Sequence, residues 1–257
     1  MNKKNNIFAD NLFEGKTVLV TGGGRGIGKT IALTFANLGA DCIIVGRNGD
    51  NLEATQNEIE DLGRNCLAFP CNIRDVESVD NMVTSSIEQL GKIDFLINNA
   101  GGQFPASPLN ITDNGWRSVI DLNLNGTWNV TSRVGSHMVQ NEFGAIVNIV
   151  HIYSYDRGAP QFAHSGAARA GVVNLAKSLA VQWGKKNITV NTIAPGTIDT
   201  EALHAYGKPE FLDASNIPAQ RLGEPDEIAS LCAYLCSPAA RYFNGADLVM
   251  DGGNILT

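Results

Sequence analysis

Thr21-Gly-Gly-Gly-Arg-Gly-Ile-Gly28 stands between an apolar run, Lys16-Thr-Val-Leu-Val20, and a helix-like stretch from Lys29 to Leu38. Strand, glycine-rich turn and helix in that order make a dinucleotide-binding element. Gly22 and Gly24 permit a tight turn whose backbone approaches a pyrophosphate, and Gly28 lets the helix lie close on the sheet. The helix N-terminus then offers free amides and a partial positive charge to the anion. A plain surface turn also favours glycine, and it is the flanking elements that tip the balance toward a nucleotide.

Outward from this turn, apolar runs predict strands at 16–21, 41–46, 65–70, 93–98, 144–150, 188–194 and 246–250. Apolar residues three and four apart predict helices at 27–38, 51–62, 76–90, 113–140, 162–184 and 226–236. Their alternation predicts an α/β fold, a Rossmann-type doubly wound parallel sheet of about seven strands with helices on both faces. No linker, repeat or low-complexity segment divides residues 1–257, so one dinucleotide-binding and catalytic domain is expected. Residues 1–13 read as an N-terminal extension, and 197–220 as a long connection suited to a substrate loop.

A formal charge of −7 argues against a nucleic-acid or acidic-membrane surface. Lys3 and Lys4 are followed by polar residues rather than an apolar run, so neither a signal peptide nor a membrane span is expected, and the default location is the cytoplasm. Five cysteines suit no disulfide framework. Cys42, Cys66 and Cys71 lie in or beside strand-like runs, while Cys232 and Cys236 share an apolar helix with no histidine or second cysteine pair to complete a metal site. Buried thiols and no metal are expected.

The strand Cys42-Ile-Ile-Val45 runs into Gly46-Arg47-Asn48, with no carboxylate where an NAD-binding protein would hold the two ribose hydroxyls. Arg47 offers a guanidinium there, and Arg25 in the glycine turn is placed to join it. Charge and fork geometry match a 2′-phosphate, which favours NADP(H) over NAD(H).

The glycine turn, then Asn98-Asn-Ala-Gly101 after the fourth strand and Pro195-Gly196 after the sixth, resembles the short-chain dehydrogenase/reductase family over about residues 14–253. The resemblance implies a homotetramer. It also implies that Gly22, Gly24, Arg25, Ile27 and Gly28 hold the pyrophosphate region, with Arg47 beside the ribose. Asn72, Ile73, Asn99, Ala100 and Gly101 would border the adenosine, and Asn98 would brace the central strand. Arg169 would meet the nicotinamide ribose, and Pro195, Gly196, Thr197 and Ile198 would shape the nicotinamide side. Asn72 stands where the family usually has an aspartate.

The departure lies in the catalytic segment. The family's Tyr-x-x-x-Lys becomes Ser165-Gly-Ala-Ala-Arg169, and His151 or Ile152 falls at the usual serine. A serine hydroxyl is too weak an acid to replace the phenol unaided, and an arginine does not give up its proton at neutral pH. Simple carbonyl reduction is therefore disfavoured. Tyr153 and Tyr155 instead follow the fifth strand, in Ile149-Val-His-Ile-Tyr-Ser-Tyr155. This arrangement resembles the 2,4-dienoyl-CoA and trans-2-enoyl-CoA reductase branch, and His164-Ser-Gly-Ala-Ala-Arg-Ala-Gly171 is similar to the peroxisomal trans-2-enoyl-CoA reductases.

That likeness implies NADPH-dependent reduction of the carbon-carbon double bond of an enoyl or dienoyl thioester, with acyl-CoA as the expected small-molecule substrate. Tyr153 is the leading donor to the substrate oxygen, with Asn125 assisting. Asn123 is the family's ordinary asparagine, Ser165 a thioester or ribose contact, and Arg169 a positive charge beside the ribose. Asn123 and Asn125 are two apart and cannot both face the pocket on a regular helix. The alternatives are an NADP(H)-dependent carbonyl reductase or alcohol dehydrogenase using Tyr153, and a catalytically silent NADP-binding or scaffold protein.

Overall fold

Alternate residues of a strand face opposite ways, and the first strand, β1 (Thr17–Thr21), is apolar on both sides. In the computed structural model, which describes residues 7–154, 158, 160–205 and 212–257, this strand lies inside a seven-stranded sheet. The others are β2 (Asp41–Gly46), β3 (Cys66–Pro70), β4 (Phe95–Asn98), β5 (Gly144–Ile149), β6 (Ile188–Pro195) and β7 (Asp247–Met250). All pairs are parallel, in the order β3-β2-β1-β4-β5-β6-β7. The helices are α1 (Gly26–Asn37), α2 (Gly49–Glu60), α3 (Val76–Leu90), α4 (Asp113–Ile120), α5 (Gly126–Asn141), α6 (Ala163–Trp183), α7 (Glu201–His204) and α8 (Pro225–Cys236).

Val18 and Val20 pack with Ile44 and Ile97 against Ile31 and Phe35 of α1 and Ile228 and Cys232 of α8. Leu19 points the other way, with Ile43 and Leu96, against Val79 of α3, Val130 of α5 and Leu179 of α6. Helices thus cover both faces, as the alternating pattern predicts. The direction in which successive strands are added reverses between β1 and β4, and the ends of these two parallel strands open the crevice in which a doubly wound sheet binds its ligand.

Phe13, the last residue of the N-terminal extension, is packed into the core: it is 1% exposed, its ring stacks on Phe35 at 4.9 Å, and its amide donates to Leu38 O. One expectation needs correction: the helix predicted over 113–140 is not continuous. Between α4 and α5, residues Asp121–Asn125 form a π-helical turn in which Gly126 N–H reaches Asp121 O, five residues back. Side chains fix this widened turn, since Asn123 Nδ2 donates to Val119 O and Thr127 Oγ1 to Asn123 O.

The five cysteines are free and buried, and burial pushes the Cys66 thiol up to about 12. Among the described residues no group of His, Cys, Asp or Glu is arranged to hold a metal, and no helix is long and apolar enough to cross a membrane. Residues 197–220 include α7 and a parallel bridge between Ile198 and Gly223, with 206–211 outside the described residues.

Candidate active site

The glycine turn has the shape its spacing implies. Gly22 has φ +70°, and a Cβ there would lie 2.7 Å from Asn99 Nδ2, so both conformation and space demand glycine. A Cβ on Gly28 would lie 2.2 Å from the carbonyl oxygen of Gly22, which explains how α1 begins so close beneath the turn. Thr21 Oγ1 accepts from the amides of Asn99 and Ala100 at 3.0 Å, and Asn99 Nδ2 returns a bond to Thr21 O at 3.0 Å. Asn98 Nδ2 donates to Thr131 Oγ1 and Asn148 Oδ1, both at 2.8 Å, bracing the central strands as expected.

These ends enclose a cleft of about 420 Å³. Gly22, Gly24, Arg25, Ile27, Arg47, Asn72, Ile73, Asn99, Ala100 and Gly101 all line it, while Gly28 lies behind the turn. Leu122, Asn51, Thr200 and Ala202 also line it and were missed in the sequence. Asn51 carried a usable signal, because Asn48 three residues earlier caps α2 by accepting from the Asn51 amide at 2.9 Å. Thr200 and Ala202 arrive from the long connection, which no local pattern places at the cleft. Neither Arg25 nor Arg47 has an ion-pair partner among the described residues. Asn72 Oδ1 accepts from Arg74 Nε at 3.2 Å, leaving its amide donors for the cleft.

Arg169 is held by Ile149 O through Nη1 at 2.5 Å, and its Nη2 sits where a Cβ on Gly101 would be only 2.2 Å away. Burial brings its pKa down to about 10, so it remains a cation, and its buried Nε has no partner among the described residues. A buried charged donor with unused capacity, set against a glycine floor, fits the hydroxyls of a nicotinamide ribose.

The π-helical turn decides between the two asparagines. Asn123 is buried, with Nδ2 donating to Gly102 O at 2.8 Å and Oδ1 accepting from Gly102 N at 3.2 Å. Asn125 is exposed and donates to Asp121 Oδ1 at 2.8 Å. Asn123 is thus the one brought beside Gly101 and Arg169, while Asn125 lies at the surface.

Ser165, fully buried in the first turn of α6, donates to Gln103 Oε1 at 2.6 Å and lies 3.0 Å from His151 Nε2. Burial first, and the Arg169 charge second, bring the His151 pKa down to about 3, so the ring is neutral. Neither His151 nor Gln103 stood among the expected site residues, although His151 at the family's serine position was a signal. Tyr153 is half-buried, its ring stacked on Phe162 at 6.3 Å and edge-on to His151 at 5.4 Å. Tyr155 lies outside the described residues. Pro195 ends β6 and Gly196 follows it, but Thr197 and Ile198 line a separate cavity of about 60 Å³ with Arg221 and Asp251, not the main cleft.

A glycine-lined anion cradle at the sheet's switch point, beside a buried guanidinium and a cluster of hydroxyl, imidazole and phenol, defines an oxidoreductase that uses a nicotinamide dinucleotide. The chain belongs to the short-chain dehydrogenase/reductase family, its residues 22–254 matching the family model described as enoyl-(acyl carrier protein) reductase. A Bacillus subtilis (strain 168) protein named probable 2,4-dienoyl-CoA reductase is 39% identical over 95% of this chain and 98% of its own. The 7alpha-hydroxysteroid dehydrogenase of Escherichia coli (strain K12) is 34% identical over 96% and 97%. Among solved structures, a short chain dehydrogenase from Bacillus anthracis is 40% identical over 95% and 98%, with a TM-score of 0.87.

Proposed function

We propose that this enzyme reduces the conjugated carbon-carbon double bond of an enoyl or dienoyl thioester, with NADPH as hydride source, as a cytoplasmic homotetramer acting on acyl-CoA. The observation that carries this is the occupant of the family's acid position: a buried Ser165 with Arg169 four residues on, while a phenol, Tyr153, stands on the neighbouring segment against His151. A ketone needs a proton on its oxygen as hydride arrives. In a conjugated thioester the hydride goes to carbon, the negative charge building on the oxygen is met by donors in a dry site, and the resulting enolate then takes a proton from water at carbon. Bacillus subtilis supplies a relative whose name supports the same substrate class.

NADPH supplies hydride to the electron-poor carbon when bound. Arg25 and Arg47 would pair with its 2′-phosphate, the glycine turn would cradle the pyrophosphate, and Arg169 would bind the nicotinamide ribose. The Tyr153 hydroxyl would donate to the substrate oxygen, and Asn123 would fix the Gly101-Gly102 segment that forms the floor.

The Escherichia coli steroid dehydrogenase relative favours the second reading, carbonyl reduction with Tyr153 as acid. Purified protein with NADPH is offered crotonyl-CoA, a 2,4-dienoyl-CoA and a panel of ketones. Thioester reduction at least about tenfold above the best ketone in kcat/KM is expected, a margin of about 1.4 kcal/mol in barrier. Turnover of ketones alone rejects the thioester assignment.

A further inference from the structure

Three segments of the chain bring Gln103, His151 and Ser165 together, from the ends of β4 and β5 and the start of α6. A serine hydroxyl has one proton, and an amide oxygen only accepts. With Gln103 Oε1 at 2.6 Å, the Ser165 proton points at Gln103. His151 must therefore meet Ser165 Oγ with Nε2–H, at 3.0 Å, as the neutral tautomer whose Nδ1 is a lone pair. That Nδ1 is buried and meets no other side chain among the described residues, so the Ser165 contact is what sets the tautomer. The result is a directed chain, imidazole N–H to hydroxyl to carbonyl oxygen, in which each bond polarises the next.

The terminal acceptor is a carbonyl oxygen on a side chain of the irregular segment after β4, half-buried, whereas Ser165 is anchored in a long helix. We propose that His151 is the positioning residue of this site: its Nε2–H orients and polarises the Ser165 hydroxyl to receive the substrate's carbonyl oxygen, at the place Gln103 holds until substrate arrives. Ser165 then supplies a second donor beside Tyr153. The proposal relies on the reductase assignment only for the identity of that oxygen; a ketone oxygen would meet the same chain of donors.

The test uses the full-length protein and its His151→Leu, His151→Gln, Ser165→Ala and Gln103→Leu variants, with the His151→Leu/Ser165→Ala double variant. Readouts are kcat and KM on whichever thioester or ketone the wild type turns over, NADPH affinity by nicotinamide fluorescence, and melting temperature. His151→Leu is expected to lower kcat by about 10- to 100-fold with NADPH affinity unchanged, the scale of one lost donor to a developing oxyanion. Glutamine, whose amide N–H reaches the same place, is expected to restore kcat to within about fivefold, and the double variant to be no slower than Ser165→Ala. Gln103→Leu, on the irregular segment, is expected to lower KM for substrate severalfold, which keeps the idea testable should His151→Leu not fold. Wild-type kcat in His151→Leu, losses that multiply in the double variant, or an unchanged KM in Gln103→Leu would each overturn it. Turnover of ketones alone, with the His151 pattern intact, would remove the thioester assignment and leave this inference standing.

Discussion

At Arg25 and Arg47 the chemistry is charge against charge. Each lines the cleft with no carboxylate paired to it among the described residues, which is the basis for proposing that they meet a 2′-phosphate. Arg47→Ala is expected to weaken NADPH binding about 10- to 100-fold and NADH binding by less than threefold, the scale of one lost charged bidentate contact; titration of both cofactors by fluorescence checks the ratio. His151 carries a second consequence. Its pKa falls from 6.5 to about 3 on folding, so between those values only the unfolded chain takes the proton and stability is lost as pH falls. From pH 7.5 to 5.0, the wild type should lose about 2 kcal/mol more than His151→Gln, read by urea unfolding. Residue identities made the cofactor side legible, because glycines and arginines in the turn, with no carboxylate after the second strand, announce an anion. The Gln103–His151–Ser165 cluster was not legible, because three separated residues meet only through the crossover of β4, β5 and α6.

At the level of elements, the strand, turn and helix around β1 and α1 were readable because local sterics dictate them. Gly28→Ala sets a Cβ 2.2 Å from a backbone oxygen that has nowhere to move. It is expected to cost about 2 kcal/mol or more in stability and to weaken cofactor binding at least tenfold, by melting and by titration. The break in the helix predicted over 113–140 was invisible for a physical reason. Apolar spacing in α4 and α5 is helical on either side, and the π-helical turn arises from side-chain-to-backbone bonds of Asn123 and Thr127. Because of that turn Asn123, rather than Asn125, faces the floor at Gly102.

For the molecule as a whole, β1 with apolar residues on both faces required helices on both sides, and the order of strands then set the cleft at the reversal between β1 and β4. What periodicity left unread was where the long connection after β6 lands, since Thr200 and Ala202 reach the cleft while Thr197 and Ile198 do not. Light scattering is expected to give four chains per particle, and a monomer would remove the tetramer. In the proposed mechanism Tyr153, rather than a residue of α6, is the leading donor to the substrate oxygen, and single-turnover decay of NADPH absorbance with a 2,4-dienoyl-CoA tests this most directly. Tyr153→Phe is predicted to slow that decay at least about a hundredfold, the low end for loss of one donor to a developing oxyanion, with NADPH affinity unchanged. Decay within twofold of the wild type would contradict it.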